Sequence, residues 1–472
     1  MVFVSVDPYA QVPGNRVFTP EQLREDLELL RTTVHEAHAD PYRFLGRAEL
    51  DHLFDRVSDG MSYALPVDAF IDSLEVLFRA IGDGHTRCDF PRDAVADMAL
   101  RTPLLPVEIV IIDSALYVRG DRMGSSAITP GSRIVSIDGV PDSRILTALL
   151  DRVHGDGRSG LQRSRLVERD FAALHAKEFG AHAEHVIVCD NGHDVLERVV
   201  VHALTGEELS AATAEQVALP PWRSNLDEGR SLAWVELNTL DARALSSADQ
   251  RPERFLGDLL REMEKKKIRT VVFDLRGADG ADLGMAEQVF AIVAQKPFRV
   301  VRMMTVRSVT VPTWYRRAVP LDDFYASAGG LFALEETGLF VLPPTDERMK
   351  DLPASQRRFD GAVYVLQDGL TREAGAAVGT LVKRSGRGKL IGEQGGTNAV
   401  SYCGGRELTI TAPNTGVRFT VPLIRYTFEG AATGPQDLGE LPDVEFKRTL
   451  EGLVTGEDAI RRDVLSFIEG LR

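Results

Sequence analysis

Apolar residues recur every three or four positions at Leu23, Leu27, Leu30 and Val34, directly after Thr19-Pro20-Glu21-Gln22. A threonine cap, a proline at the first helical position and this spacing together predict a helix. A second start at Pro66-Val67-Asp68 carries Phe70, Leu74, Leu77 and Phe78 to Ile81, then stops at Gly82-Asp83-Gly84-His85-Thr86. Residues 19–80 therefore read as helices. The period then shortens: Val107 to Ile112 and Leu116 to Val118 read as strands. Leu161 to Phe179 reads as a helix, and His185 to Cys189 and Val199 to His202 as strands. Glu207 to Asp227, with Pro220-Pro221, reads as a loop or linker.

Beyond it, Leu232 to Leu237 is a predicted strand and Glu253 to Lys267 a predicted helix. Thr270 to Arg276 has the length, apolar run and β-branching of a buried strand. Val363 to Leu366 and Leu390 to Gly392 repeat that pattern with helices between. Alternation of this kind implies a largely parallel sheet, with its active edge at the strands' C-terminal ends. The fold class read here is α/β.

Composition narrows the functions. A chain of 472 residues exceeds one compact core. Hydrophobic content of 44% with 26% charge is that of an ordinary globular protein. A net charge of -15 argues against nucleic acid or an anionic membrane as partner, since both require a basic face. No apolar run approaches the ~20 residues that span a bilayer. Met1 to Asp7 lacks the basic start and apolar core of a signal peptide. Cys88, Cys189 and Cys403 are scattered and odd in number, so a cytoplasmic location is expected, without disulfides. No metal cluster, phosphate loop or dinucleotide fingerprint is visible, and no cofactor is expected.

Thr371-Arg372-Glu373-Ala374-Gly375 opens an expected helix that leads to Gly386-Arg387-Gly388-Lys389-Leu390-Ile391-Gly392-Glu393. This stretch resembles the nucleophile region of the tail-specific (C-terminal-processing) serine peptidases, especially their tricorn-like branch. The resemblance places the nucleophile serine two residues after the threonine, where this chain has Glu373. Asp274-Leu275-Arg276-Gly277-Ala278-Asp279-Gly280 is similar to the family's glycine turn. It implies an oxyanion-type hole from Gly277 and Ala374. Gly82-Asp83-Gly84-His85-Thr86 is similar to the family segment carrying the general-base histidine, which implies a proton-transfer role for His85. The family's orienting glutamate falls on Gln436, and the lysine of its other branch falls on Asn398. Neither a Ser-Lys dyad nor a Ser-His-Glu set is complete. Ala278, Thr371, Gly396 and Asn398 are the substrate-binding positions the resemblance implies.

Ile128-Thr129-Pro130-Gly131-Ser132-Arg133-Ile134 through Pro141 resembles a PDZ-like core, in which a peptide adds as a strand to an open sheet edge. The expected division is a helical domain at 1–100 and a PDZ-like module at 101–150. A mixed region and linker at 151–230 and a peptidase-type α/β domain at 231–472 follow. Three functions stay open. Glu373 and His85 form an acid–base pair acting on a peptide or peptide-like small molecule. Alternatively, the chain binds peptides without turnover, or it is a serine peptidase using another hydroxyl. Homo-oligomerisation is left open.

Overall fold

The computed structural model describes residues 16–90, 101–121, 128–192, 196–214, 219–310, 323–431, 437–455 and 457–471. Three helices open it: α1 (Pro20–Ala37), α2 (Arg47–Gly60) and α3 (Val67–Ile81). Thr19 caps α1 through a reciprocal box, its Oγ1 accepting the Gln22 N–H and its own N–H donating to Gln22 Oε1. Leu23, Leu27, Leu30 and Val34 are buried along one face. α3 ends at Gly82 in the left-handed region (φ 64°), where a Cβ would lie 2.7 Å from the Phe44 ring. The Met1–Asp7 segment lies outside the described residues.

A six-stranded antiparallel sheet follows: β1 (Val107–Ile112), β2 (Ala115–Asp121), β3 (Arg133–Ile137), β4 (Glu184–Asp190) and β5 (Leu196–His202) run in the order β5-β4-β3-β2-β1, and the short strand Val140–Pro141 pairs with β3. Helices α4 (Asp142–Asp151) and α5 (Gly160–Phe179) pack on it. Its core joins Ile109, Leu116 and Ile134 to Val167, Phe171 and Ile187. The expected boundary at residue 150 falls inside this core, because the later strands complete the sheet. The edge strand β1 lies against α5, and its Ile111 N–H donates to Glu168 Oε1 at 2.7 Å.

The third unit is built on β6 (Trp222–Asp227), β7 (Leu232–Leu237), α6 (Pro252–Lys265), β8 (Thr270–Asp274) and α7 (Leu283–Ala291). It continues through β9 (Val301–Val306), β10 (Ala362–Gln367), α8 (Glu373–Arg384), β11 (Lys389–Gly392), β12 (Ser401–Thr411), β13 (Arg418–Phe428), β14 (Val444–Glu445) and α9 (Ala459–Gly470). One sheet runs β6-β7-β8-β10-β11-β14, parallel except for β6. The described parts of the stretch read as a linker hold regular structure instead. They form a helix at Gly206–Ala214 and the edge strand β6, whose polar Arg223-Ser224-Asn225 hid it from a reading of apolar runs. A further antiparallel sheet, built around the β12–β13 hairpin with β9, was not anticipated. α8 packs on β10 and β11, while Val464 and Ile468 of α9 cover the opposite face at Trp234, Tyr364 and Ile391.

Buried charges tie the antiparallel module to this unit. Arg165 of α5 pairs with Glu168 and with Glu393, which follows β11. Arg448 reaches Glu168 at 2.6 Å and Asp368 at 3.6 Å. Among the described residues, no helix is long and apolar enough to cross a membrane.

Candidate active site

Two segments meet at the C-terminal edge of the parallel sheet. After β8, residues 275–280 turn with Gly277 at φ 69° and Gly280 at φ 133°. A Cβ at Gly280 would lie 2.5 Å from Leu240 carbonyl carbon, so the turn requires glycine there. Residues 371–374 run alongside. Thr371 Oγ1 donates to Leu275 O (2.7 Å), Arg372 N–H to Ala278 O (2.8 Å) and Ala374 N–H to Gly280 O (3.1 Å). From the other side, Gly396 N–H donates to Thr371 O (2.9 Å) and Glu373 N–H to Thr397 Oγ1 (2.6 Å).

Glu373, the first residue of α8, is held between these segments in the left-handed region at φ 49°. Side chains with a Cβ seldom adopt that conformation, and such strain concentrates at functional positions. Its carboxylate is buried, and His85 Nε2 lies 2.7 Å from its Oε1. Arg372 Nη2 is 3.6 Å from the same oxygen and also contacts Asp279. The His85 ring rests near Tyr402, with centroids 6.4 Å apart, and beside Gly404.

Asp83 completes the surroundings of His85. Its Oδ1 accepts the His85 backbone N–H at 2.7 Å and lies 3.7 Å from His85 Nδ1. Buried His38 approaches Asp83 Oδ2 at 3.0 Å. Burial opposes a charged imidazole, but Asp83 and Glu373 outweigh it and hold His85 well above the ordinary histidine pKa. Burial likewise opposes ionisation of Asp83, yet contacts with His38 and His85 keep it well below the usual carboxylate range. Asp156 behaves differently. Burial pushes its carboxyl up to about 6, against the pull of Arg43 at 3.3 Å. Its Oδ2 accepts the Asn398 N–H at 3.0 Å, which joins the 155–158 loop to the strand of residues behind Glu373.

The remaining expected positions fall into three groups. Gly277 and Ala374 both flank the site. However, Gly277 N–H donates to Asp368 Oδ1 at 2.9 Å, and Ala374 N–H is spent on Gly280. Ala278, Thr371, Gly396 and Asn398 were expected to meet substrate, but all four are buried. They brace Glu373 from behind, because their backbone and side-chain groups bond the segments to one another. Gln436 lies outside the described residues. Asp83 stood in the motif that contained His85, but its contact with His38 depends on a residue 45 positions earlier. Arg43, Asp156 and Thr397 gave no local signal.

A cavity of about 650 Å³ opens beside Gly277 at the strand ends, lined by Asp274, Asp368, Glu393, Arg448 and Asp458 among others. Its size suits a small molecule or a few residues of peptide. Among the described residues, no group of histidine, cysteine and carboxylate side chains is arranged to hold a metal ion.

Residues 233–446 match the sequence profile of peptidase family S41. The fold is similar to the crystal structure of mature CPAF (TM-score 0.66, 12% identity, covering 95% of this chain and 97% of that one). It is also similar to a CPAF point mutant (TM-score 0.68, 12% identity, 94% and 96% covered). A third structure, mature CPAF complexed with lactacystin, gives a TM-score of 0.65 at 12% identity, with 96% and 98% covered. No curated protein matches the chain in sequence.

Proposed function

We propose, from the match of residues 233–446 to the peptidase family S41 profile, that this chain is an S41-type protein acting on peptides through Glu373 and His85 as an acid–base pair. In this reading Glu373 occupies the slot of the tail-specific peptidases' serine, and no acyl-enzyme forms. One observation carries it: the 2.7 Å contact between His85 Nε2 and Glu373 Oε1 on a backbone held at φ 49°. His85 Nε2 occupies Oε1, while Oε2 accepts no hydrogen bond from the described residues. Glu373 would then take a proton from water attacking a peptide-like bond, and His85 would return one to the leaving group. Thr371 Oγ1 donates to Leu275 O, and Thr397 Oγ1 accepts the Glu373 N–H.

A second reading, a peptide binder without turnover, has its own support. Both expected oxyanion donors are spent on protein acceptors, Gly277 on Asp368 and Ala374 on Gly280. One experiment separates the two: turnover of a panel of intact and C-terminally truncated peptides by wild type and Glu373→Gln. An acid–base role requires turnover in wild type and a loss of roughly 10²–10⁴ in kcat with binding retained. Equal turnover in both proteins eliminates the carboxylate mechanism. Peptide binding without any turnover establishes the second reading.

A further inference from the structure

We infer that Asp83, packed against His38, is the positioning carboxylate of the Glu373–His85 site: it holds His85 by the backbone N–H and sets a second negative charge 3.7 Å from the ring's Nδ1. The inference rests on the acid–base reading above. It begins with the tautomer of His38. The Asp40 N–H donates to His38 Nδ1 at 3.0 Å, so that nitrogen carries a lone pair and the ring proton sits on Nε2. Nε2–H donates to Thr86 Oγ1 at 2.8 Å and lies 3.0 Å from Asp83 Oδ2, which accepts no hydrogen bond. His38 is therefore a neutral ring packed against Asp83, and it does not neutralise the carboxylate.

The three residues are sealed from water: His38 and Thr86 are 0% exposed and Asp83 4%. A buried carboxylate needs a cation or several donors. Among the described residues, no lysine or arginine lies within ion-pair distance of Asp83. The cation is His85, whose Nδ1 is 3.7 Å from Asp83 Oδ1 and whose backbone N–H binds the same oxygen. His85 thus sits between two buried carboxylates, Asp83 at Nδ1 and Glu373 at Nε2. Asp83 fixes His85 through its backbone N–H and places a negative charge 3.7 Å from Nδ1, opposite the Glu373 carboxylate at Nε2. Other ionisable groups around the ring are Asp156 from the 155–158 loop, Tyr402 from β12 and Arg87, whose Nη1 donates to His85 O at 3.3 Å. A glutamine at the orienting slot implied for Gln436 would supply no charge, which leaves that task to Asp83.

The test reads the ring itself. His85 is titrated by NMR of its imidazole in wild type, Asp83→Asn and Asp83→Glu, with His85→Gln to assign the resonance. The His85 midpoint should fall by at least about one pH unit in Asp83→Asn, a tenfold loss of proton affinity, and Asp83→Glu should restore most of it. An unchanged midpoint in folded Asp83→Asn overturns the inference. If that variant does not fold, Glu373→Gln serves instead. With the Glu373 charge gone, a midpoint still above the ordinary histidine value of about 6.5 supports Asp83 as the second anion, and one below it refutes that role. Peptide turnover by Glu373→Gln judges the acid–base reading separately. Unchanged turnover together with a lowered Asp83→Asn midpoint removes that reading and keeps the charge assignment.

Discussion

His85 and Glu373 stand 288 positions apart in the chain and 2.7 Å apart in space, joined Nε2 to Oε1 in a nearly dry pocket. Three independent constraints produce this contact. The glycine cap at Gly82 swings the chain away from α3, Asp83 grips the His85 backbone, and the paired segments 275–280 and 395–397 clamp the start of α8.

The pH dependence of stability should carry the signature of His85. Its folded pKa is raised, so its contribution is complete below the unfolded value of about 6.5 and fades as pH rises through the folded value. Urea unfolding of wild type and His85→Gln should show a constant difference between about pH 4.5 and 6.5 that narrows at higher pH. A difference that widens with pH contradicts the pairing.

Substitution at Glu373 should invert the usual helix preference. Glycine is ordinarily about 0.8–1.0 kcal/mol worse than alanine within a helix. At φ 49°, however, alanine carries a left-handed cost of roughly 1–2 kcal/mol that glycine avoids. Both variants lose the same carboxylate. Glu373→Gly should therefore unfold at a urea concentration equal to or above that of Glu373→Ala, and the reverse order would show that the strain is not present in solution.

Gly404 offers a steric test of the site. A Cβ at Gly404 would lie 3.1 Å from His85 Cε1 and 3.0 Å from the Tyr402 ring, so the imidazole must shift by a few tenths of an ångström. Gly404→Ala should cut turnover by about 10-fold with little change in peptide affinity, as small misplacements of a reacting group do. Unaltered kcat and an unaltered His85 ring resonance would show that the ring has room to spare.

Much of the scaffold was readable from the chain. α1 and α3 announce themselves by cap and spacing, and β8 and β10 by unbroken apolar runs buried on both faces. The β12–β13 hairpin was missed because Gly404, Gly405 and Arg406 interrupt its alternation at a register shift. Glu373 and His85 were legible as positions through motif spacing. What they bond to was not. The left-handed φ of Glu373, the loss of the Gly277 and Ala374 N–H groups to internal acceptors, and the Asp156–Arg43–Asn398 contacts arise from tertiary packing between distant segments. No local pattern encodes such contacts.

Glu168 has a consequence for how this molecule can be divided. One carboxylate serves the Ile111 N–H at a sheet edge, Arg165 on its own helix and Arg448 from the far end of the chain. An incoming strand at that edge must evict Glu168, and eviction strips one carboxylate from both Arg165 and Arg448. Cutting the antiparallel module away from the rest does worse, because Glu393 would face the break without Arg165. Breaking a buried pair in this way costs about 3–5 kcal/mol, comparable to a large part of a domain's whole stability. The module is thus a keystone and not a detachable bead, and neither half should be expressed alone in the hope of a folded product.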